Sequence, residues 1–175
     1  MPVSATFDDA SKIAALPESL EAQFPGHWQV HGQGLFTWSV FRVYRAALHV
    51  QGDGFDTTAP CASAAPFALD LNYLRNVSAD QIVQTSLQEM RRLREPDEAL
   101  LAQWGEQLQA ILPDVGLGDR LVGVFVPGKG VSFFGREAAL GQIDDPAFAE
   151  AFAAVWLDAQ TRAPALRANL LGLSA

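Results

Sequence analysis

The sequence predicts an α+β domain in which an antiparallel β-sheet carries a layer of helices on one face. Three observations predict it. Strand-like and helix-like segments come in runs, in the order β, β, β, α, α, β, β, α, α, rather than in strict alternation. The hydrophobic fraction is 49% against a charged fraction of 18%, which places the chain among folded globular proteins. At 175 residues it fits one domain, large enough to hold a core without disulfide staples.

Residues 1–16 are expected to form a loosely ordered extension of a single domain spanning 1–175. A short helix near Pro17 to Gln23 is ended by Pro25-Gly26. From Trp28 to Val50 the chain is rich in β-branched and aromatic residues, with Gly32 and Gly34 as bend points. Two strands joined by a tight turn and one long bent strand both fit this stretch. Gly52 to Pro66 (GDGFDTTAPCASAAP) is small, polar and proline-bearing, and reads as a loop. Phe67, Leu69, Leu71 and Tyr73 then alternate with Ala68, Asp70, Asn72 and Leu74, the pattern of a half-buried strand.

Ser78-Ala79-Asp80-Gln81 has the form of a capping box. The helix it opens sets Ile82, Val83, Ser86, Leu87, Met90 and Leu93 on one stripe and stops at Pro96. Arg91, Arg92 and Arg94 cluster at its C-terminal end, where cations are favoured. A second helix from Asp97 to Leu112 carries Leu100, Leu101, Trp104, Leu108 and Ile111, and Pro113 closes it. Leu121 to Val126 and Val131 to Phe134 flank Pro127-Gly128-Lys129-Gly130, a hairpin signal. Asp145-Pro146 starts a helix, and in the following AFAEAFAAVWL only Glu150 is polar, so this helix should be buried on most sides. Pro164 begins a last short helix, followed by Gly172.

The formal net charge of −8 speaks against a nucleic-acid or anionic-membrane partner, whose phosphates call for a basic surface. No run of 18 apolar residues exists to span a bilayer. The N-terminus lacks a secretory signal, so a cytoplasmic location is expected, or a periplasmic one if a leader has been removed. Cys61 is the only cysteine, which precludes an internal disulfide. There is no glycine-rich phosphate loop, no GxSxG elbow and no HExxH helix. His27, His31 and His49 are too few and too oddly spaced for a zinc site, so neither metal nor other cofactor is expected. Of Asp144 and Asp145, at least one is needed as a helix cap. Asp119-Arg120 is expected to turn the chain and pair on the surface.

One residue breaks the pattern. Taking every second position, one strand face reads Phe36, Trp38, Val40, Arg42, Tyr44, Ala46, Leu48, Val50. A guanidinium does not shed its charge, so Arg42 on an apolar face needs an acceptor. It can bind a ligand carboxylate or a developing oxyanion beside Tyr44. It can pair with an internal carboxylate such as Asp70 or Glu89. Or a bulge between Val40 and Val43 can turn it to solvent. The opposite parity would line a cleft with Thr37, Ser39, Phe41 and Val43.

The segments GLFTWSVFRVYRAALHV, LNYLRNVSADQIVQTS, VGLGDRL and GQIDDPAFAEAFAAVWLDAQTRAPALRANLLG together resemble the bacterial chalcone isomerase-like family, from about Pro17 to Gly172. The C-terminal stretch is the most specific part: an Asp-Pro-x-Phe helix start, a Trp-Leu-Asp, and an Arg-x-x-Leu-Leu-Gly ending. The resemblance implies an open-faced sandwich with a cleft between sheet and helices. In the plant enzymes that cleft cyclises a chalcone to a flavanone, using an arginine, a threonine and a tyrosine–asparagine pair. Relatives without the activity bind fatty acids or assist other proteins.

Carried over residue by residue, the catalytic pattern thins out. Gly32-Gln33-Gly34-Leu35 leads to Phe36 where the plant pattern has its arginine. The threonine falls at Ser39, and the Tyr-x-x-x-Val-x-x-Asn motif falls on Ser78, Ile82 and Thr85. The expectation is therefore a non-catalytic protein binding a small hydrophobic or fatty-acid-like ligand. Its cation would be Arg42, or Arg75 before the helix cap, with Ser39, Phe41, Tyr44, Ser78 and Thr85 lining the site. The alternatives are an intramolecular lyase of the chalcone-to-flavanone type, and a partner-binding module whose cleft is filled by Trp38, Phe133, Phe134 and Trp156. The sequence does not indicate an oligomeric state.

Overall fold

The computed structural model describes residues 15–173. Six antiparallel strands, β1 (Trp28–Trp38), β2 (Phe41–Gln51), β3 (Phe67–Tyr73), β4 (Arg120–Val126), β5 (Gly130–Phe134) and β6 (Ala139–Ile143), lie in the sheet in chain order. The helices are α1 (Glu18–Gln23), α2 (Ala79–Arg94), α3 (Glu98–Ile111), α4 (Pro146–Leu157) and α5 (Pro164–Leu171). Of the two alternatives for Trp28 to Val50, the chain adopts two strands joined by the turn Ser39-Val40. Strand β6 was not expected: its segment ALGQI lacks alternation, and only Ile143 of it is buried.

The helix signals act as read. Ser78 Oγ accepts from Gln81 N–H at 3.1 Å, and Gln81 Oε1 accepts from Ser78 N–H at 3.0 Å. Asp145 Oδ1 caps α4 through Ala147 N–H at 2.9 Å, while its Oδ2 accepts from Trp104 Nε1–H at 2.9 Å and so ties α3 to the same cap. Gly172 ends α5 with φ 68°, a left-handed conformation that glycine adopts without strain. The arginines at the end of α2 are each paired: Arg91 with Glu98 of α3 and Arg94 with Asp158 after α4 pin α2 to its neighbours, while Arg92 pairs with Glu89 of the same helix.

One face of the sheet carries Tyr44, Leu48, Leu69, Phe125 and Phe133 into the main core. Helix α4 lies over it, and Phe148, Phe152 and Trp156 are buried along its length, as a helix apolar all round requires. Their rings interlock: Phe148 to Phe152 at 5.1 Å, Phe152 to Trp156 at 5.0 Å, Phe152 to Phe125 at 6.0 Å. Helix α5 presses on β1. A Cβ on Gly32 would fall 2.1 Å from the Asn169 carbonyl oxygen, and one on Gly34 would meet Asn169 and Leu166 side chains at 2.9 Å. The Gly-x-Gly pattern thus has a packing cause: it admits the last helix against the strand.

The helices are not confined to one face. Leu16, Leu20 of α1, Phe24 and Trp28 cover the opposite face, over Ala68, Val122, Val124 and Phe134. Of the extension expected over 1–16, residues 1–14 lie outside the described residues, and Leu16 is buried in this second layer. Strand β3 is accordingly buried on both sides, not half-buried as its alternation suggested.

Candidate functional site

The seam between sheet and helices ends at Tyr44. Its hydroxyl accepts a hydrogen bond from Trp156 Nε1–H at 2.9 Å, fastening α4 to β2. Phe36 stacks on the Tyr44 ring at 4.9 Å, and Tyr73 meets it edge-on at 5.4 Å. Burial pushes the Tyr44 hydroxyl far above the ordinary phenol range, and the Trp156 bond offsets this only partly. Tyr73 is raised as well, by burial first and then by Tyr44. Both groups stay protonated in the folded protein. Around them the seam is packed with the Phe125, Phe133, Phe148 and Phe152 rings.

Arg42 does not point into this seam. Phe36 pairs with Tyr44 but Thr37 pairs with Arg42, so β2 holds one residue more than β1 at this point. That bulge breaks the alternation that would have aimed Arg42 inward beside Tyr44, and Arg42 is exposed. The internal carboxylates considered for it are taken: Asp70 by Arg120 and His49, Glu89 by Arg92 and Arg162. Among the described residues Arg42 has no ion-pair partner. Nor has Arg75, whose guanidinium carbon sits 4.1 Å from the centre of the Phe41 ring.

The residues expected to line one cleft therefore divide. Ser39, Phe41, Arg42 and Arg75 gather in the exposed end of the β1–β2 hairpin, with Tyr44 buried behind them. Ser78 is engaged as a cap, and Thr85 is exposed on α2. Of the aromatics proposed to fill the cleft, Phe133 and Trp156 are in the main core. Phe134 belongs to the opposite face and Trp38 is exposed.

The largest feature missed in the sequence lies on that opposite face. Asp70, fully buried in β3, accepts from Arg120 Nε–H at 2.8 Å and Nη2–H at 2.7 Å. His49 Nε2 stands 3.2 Å from Asp70 Oδ2, and Asn72 Nδ2 donates to Oδ1 at 3.2 Å. Arg120 Nη2–H also donates to the Ala15 carbonyl, joining the cluster to the N-terminal segment. Burial pushes the Asp70 pKa up, but the His49 and Arg120 hydrogen bonds and charges outweigh it and leave the carboxyl below its usual range. Arg120 is thus a mostly buried partner and not the surface residue expected from Asp119-Arg120. The available signal was a carboxylate in FALDLNY, whose apolar neighbours on both parities demand a buried cation.

A surface groove runs between the Gly52–Pro66 loop and α4, with a volume of about 460 Å³ and walls that include Thr58, Cys61, Arg94, Ala154 and Leu157. Arg94 is neutralised there by Asp158 at 2.7 Å. The Cys61 thiol is pushed up to about 11 by burial and by Glu150, with Arg94 opposing, so it is a poor nucleophile at neutral pH. No group of three or more His, Cys, Asp or Glu able to hold a metal ion occurs among the described residues. No described helix is long and apolar enough to cross a membrane.

A six-stranded antiparallel sheet, an apolar helix laid over one face and an aromatic seam between them define an α+β domain of the open-faced sandwich class. The chain belongs to the chalcone isomerase-like family, whose profile matches residues 12–172. It is 26% identical over 146 residues to an uncharacterized protein of Haemophilus influenzae, covering 83% of this chain and 69% of that protein. Its structure is similar to the crystal structure of an Arabidopsis thaliana fatty-acid binding protein, AtFAP1. The TM-score is 0.62 and the sequence identity 9%, over 90% of this chain and 89% of that one; at this identity the likeness shows the fold alone.

Proposed function

We propose that the protein is a non-catalytic binder of a small hydrophobic acid, taken up where the aromatic seam opens at the β1–β2 hairpin. The observation that carries this reading is the pair of guanidiniums, Arg42 and Arg75, both exposed at the hairpin end without a carboxylate partner among the described residues, with Arg75 over the exposed ring of Phe41 and Arg42 next to Phe41 in the strand. An acyl or aryl tail would enter by moving half-buried Phe36 off Tyr44, leaving the carboxylate at the hairpin end within the field of Arg75 and Arg42. A charge-assisted contact of this kind contributes about 1.5–3 kcal/mol when shielded and less in water, so most of the affinity must come from apolar burial. The fatty-acid binding named for the structural neighbour AtFAP1 supports the ligand class.

An intramolecular lyase would need a cation at the developing enolate within the seam. Phe36 occupies the position after the Gly-x-Gly pattern, and the seam offers only protonated phenols. The dense packing of Phe125, Phe148 and Phe152 favours a second reading, a partner-binding module whose cleft its own side chains fill. Native mass spectrometry of protein purified without detergent, before and after delipidation, tests between the two. A removable acidic adduct in wild type that is depleted in Arg42→Ala/Arg75→Ala supports the ligand reading. Bare wild type that takes up no fatty acid on re-addition supports the module.

A further inference from the structure

Four of the five large hydrophobic residues exposed among the described residues lie at one end of the sheet. Trp38 is 64% exposed, Val40 85%, Phe41 49% and Leu117 74%. Trp38 and Phe41 are the last cross-strand pair of β1 and β2, and Val40 is in the turn between them. Strand β3 stops pairing with β2 at Tyr44, so the hairpin tip runs beyond its neighbour by roughly 7 Å. The same end holds Leu117, because Gly118 N–H donates to the Tyr73 carbonyl at 2.9 Å.

The tip is built in a costly way. Ser39 has φ 57°, a conformation normally left to glycine, and it places a β-branched apolar residue at the most solvent-exposed point of the turn. Among the described residues Val40 is left 85% exposed, with almost no packing on it. Scattered exposed apolar residues need no explanation, but a contiguous projecting set does.

Charge supplies the partner. The chain carries 20 carboxylate residues and a net charge of −8, yet no Asp or Glu occurs from residue 22 to residue 52, the span that contains the whole hairpin. Its charged residues are Arg42 and Arg45, and Arg75 sits over Phe41. Arg136 joins them by donating to the Gly118 carbonyl. The neighbouring turns hold the carboxylates Asp119 and Glu137, of which Asp119 accepts from Gly116 N–H at 2.8 Å. The overall negative charge thus conceals a cationic, aromatic tip at one end.

We infer that the β1–β2 hairpin tip docks the protein on an anionic lipid surface, with Trp38, Val40 and Phe41 entering the interface and Arg42, Arg45 and Arg75 resting among the headgroup phosphates. Trp at the headgroup level and Arg beside it are the residue types that this boundary favours. The inference goes beyond the ligand reading and shares Arg42, Arg75 and Phe41 with it, yet either can hold without the other: a soluble acid can bind without a membrane, and the tip can dock without a ligand.

The test is co-sedimentation of the purified chain with vesicles of equal parts phosphatidylcholine and phosphatidylglycerol, against phosphatidylcholine alone. The variants are Val40→Glu, Trp38→Ser/Phe41→Ser and Arg42→Gln/Arg45→Gln, all at exposed positions and checked for an unchanged unfolding midpoint. Wild type is expected to sediment with the anionic vesicles, to release as salt screens the attraction, and to shift its tryptophan emission to the blue through Trp38. The aromatic and Val40→Glu variants are expected to lose about tenfold or more in partitioning. The arginine variant should lose the preference for anionic vesicles. Wild type that stays in the supernatant overturns the inference. So does equal sedimentation of all variants, or hairpin-dependent self-association without vesicle binding. Native mass spectrometry reads the acyl ligand separately, so failure of one does not imply failure of the other.

Discussion

Arg120 grips Asp70 with two nearly parallel hydrogen bonds, 2.8 and 2.7 Å long, from one central strand to the next. With both groups almost wholly removed from water, the pair is high-stakes: intact it is satisfied, and broken it leaves a buried charge. Asp70→Asn is expected to destabilise the fold by about 3–5 kcal/mol at neutral pH, because Arg120 loses its anion. Urea unfolding measures this directly.

The same carboxyl gives a pH signature. Its folded pKa lies below its unfolded value, so between the two the unfolded chain binds more protons and stability rises with pH. The Asp70 contribution is therefore fully present above about pH 4 and is lost as pH falls through the folded pKa. The wild-type stability advantage over Asp70→Asn should shrink as the solution is acidified below that point. Parallel curves for the two proteins across the acid range would refute the assignment.

The chain has only two tyrosines, Tyr44 and Tyr73, and both are raised. In an alkaline titration no tyrosinate absorbance should appear near about pH 10, where a free phenol ionises, until the protein unfolds. Full absorbance should appear at once in urea. Tyr44→Phe leaves the Trp156 indole N–H without its partner and is expected to cost about 1–3 kcal/mol.

Gly32→Ala places a methyl against the α5 backbone, 2.1 Å from the Asn169 oxygen. Backbone cannot step aside as a side chain can, so the last helix must shift. A loss of about 1–3 kcal/mol is expected, together with faster amide exchange over 164–171 than in the body of the sheet. Exchange rising evenly over the whole chain would point to another cause.

Much of the fold was legible where local chemistry decides it. The Ser78 capping box, the Asp145-Pro146 start and the all-apolar AFAEAFAAVWL each acted as their residues dictate. Strand β6 was hidden because an edge strand with one buried residue needs no alternation. Both faces of β3 are buried because the N-terminal segment folds across the second face, and FALDLNY marks that burial only through Asp70 among apolar residues, without naming the segment that covers it. Of the three readings open for Arg42, the bulge that turns it to solvent holds; the sequence could not choose among them because the extra residue at Val43 is fixed by how β2 pairs with β1, not by β2 alone. Arg120 was misplaced because its partner is fifty residues away in sequence.

The central claim is tested most directly by calorimetric titration of the delipidated chain with a fatty acid and with the fatty alcohol of equal length. Wild type is predicted to prefer the acid, and Arg42→Ala/Arg75→Ala to weaken acid binding by about tenfold while leaving the alcohol unchanged. Acid and alcohol binding alike in wild type, or an acid affinity untouched by loss of both arginines, would contradict it.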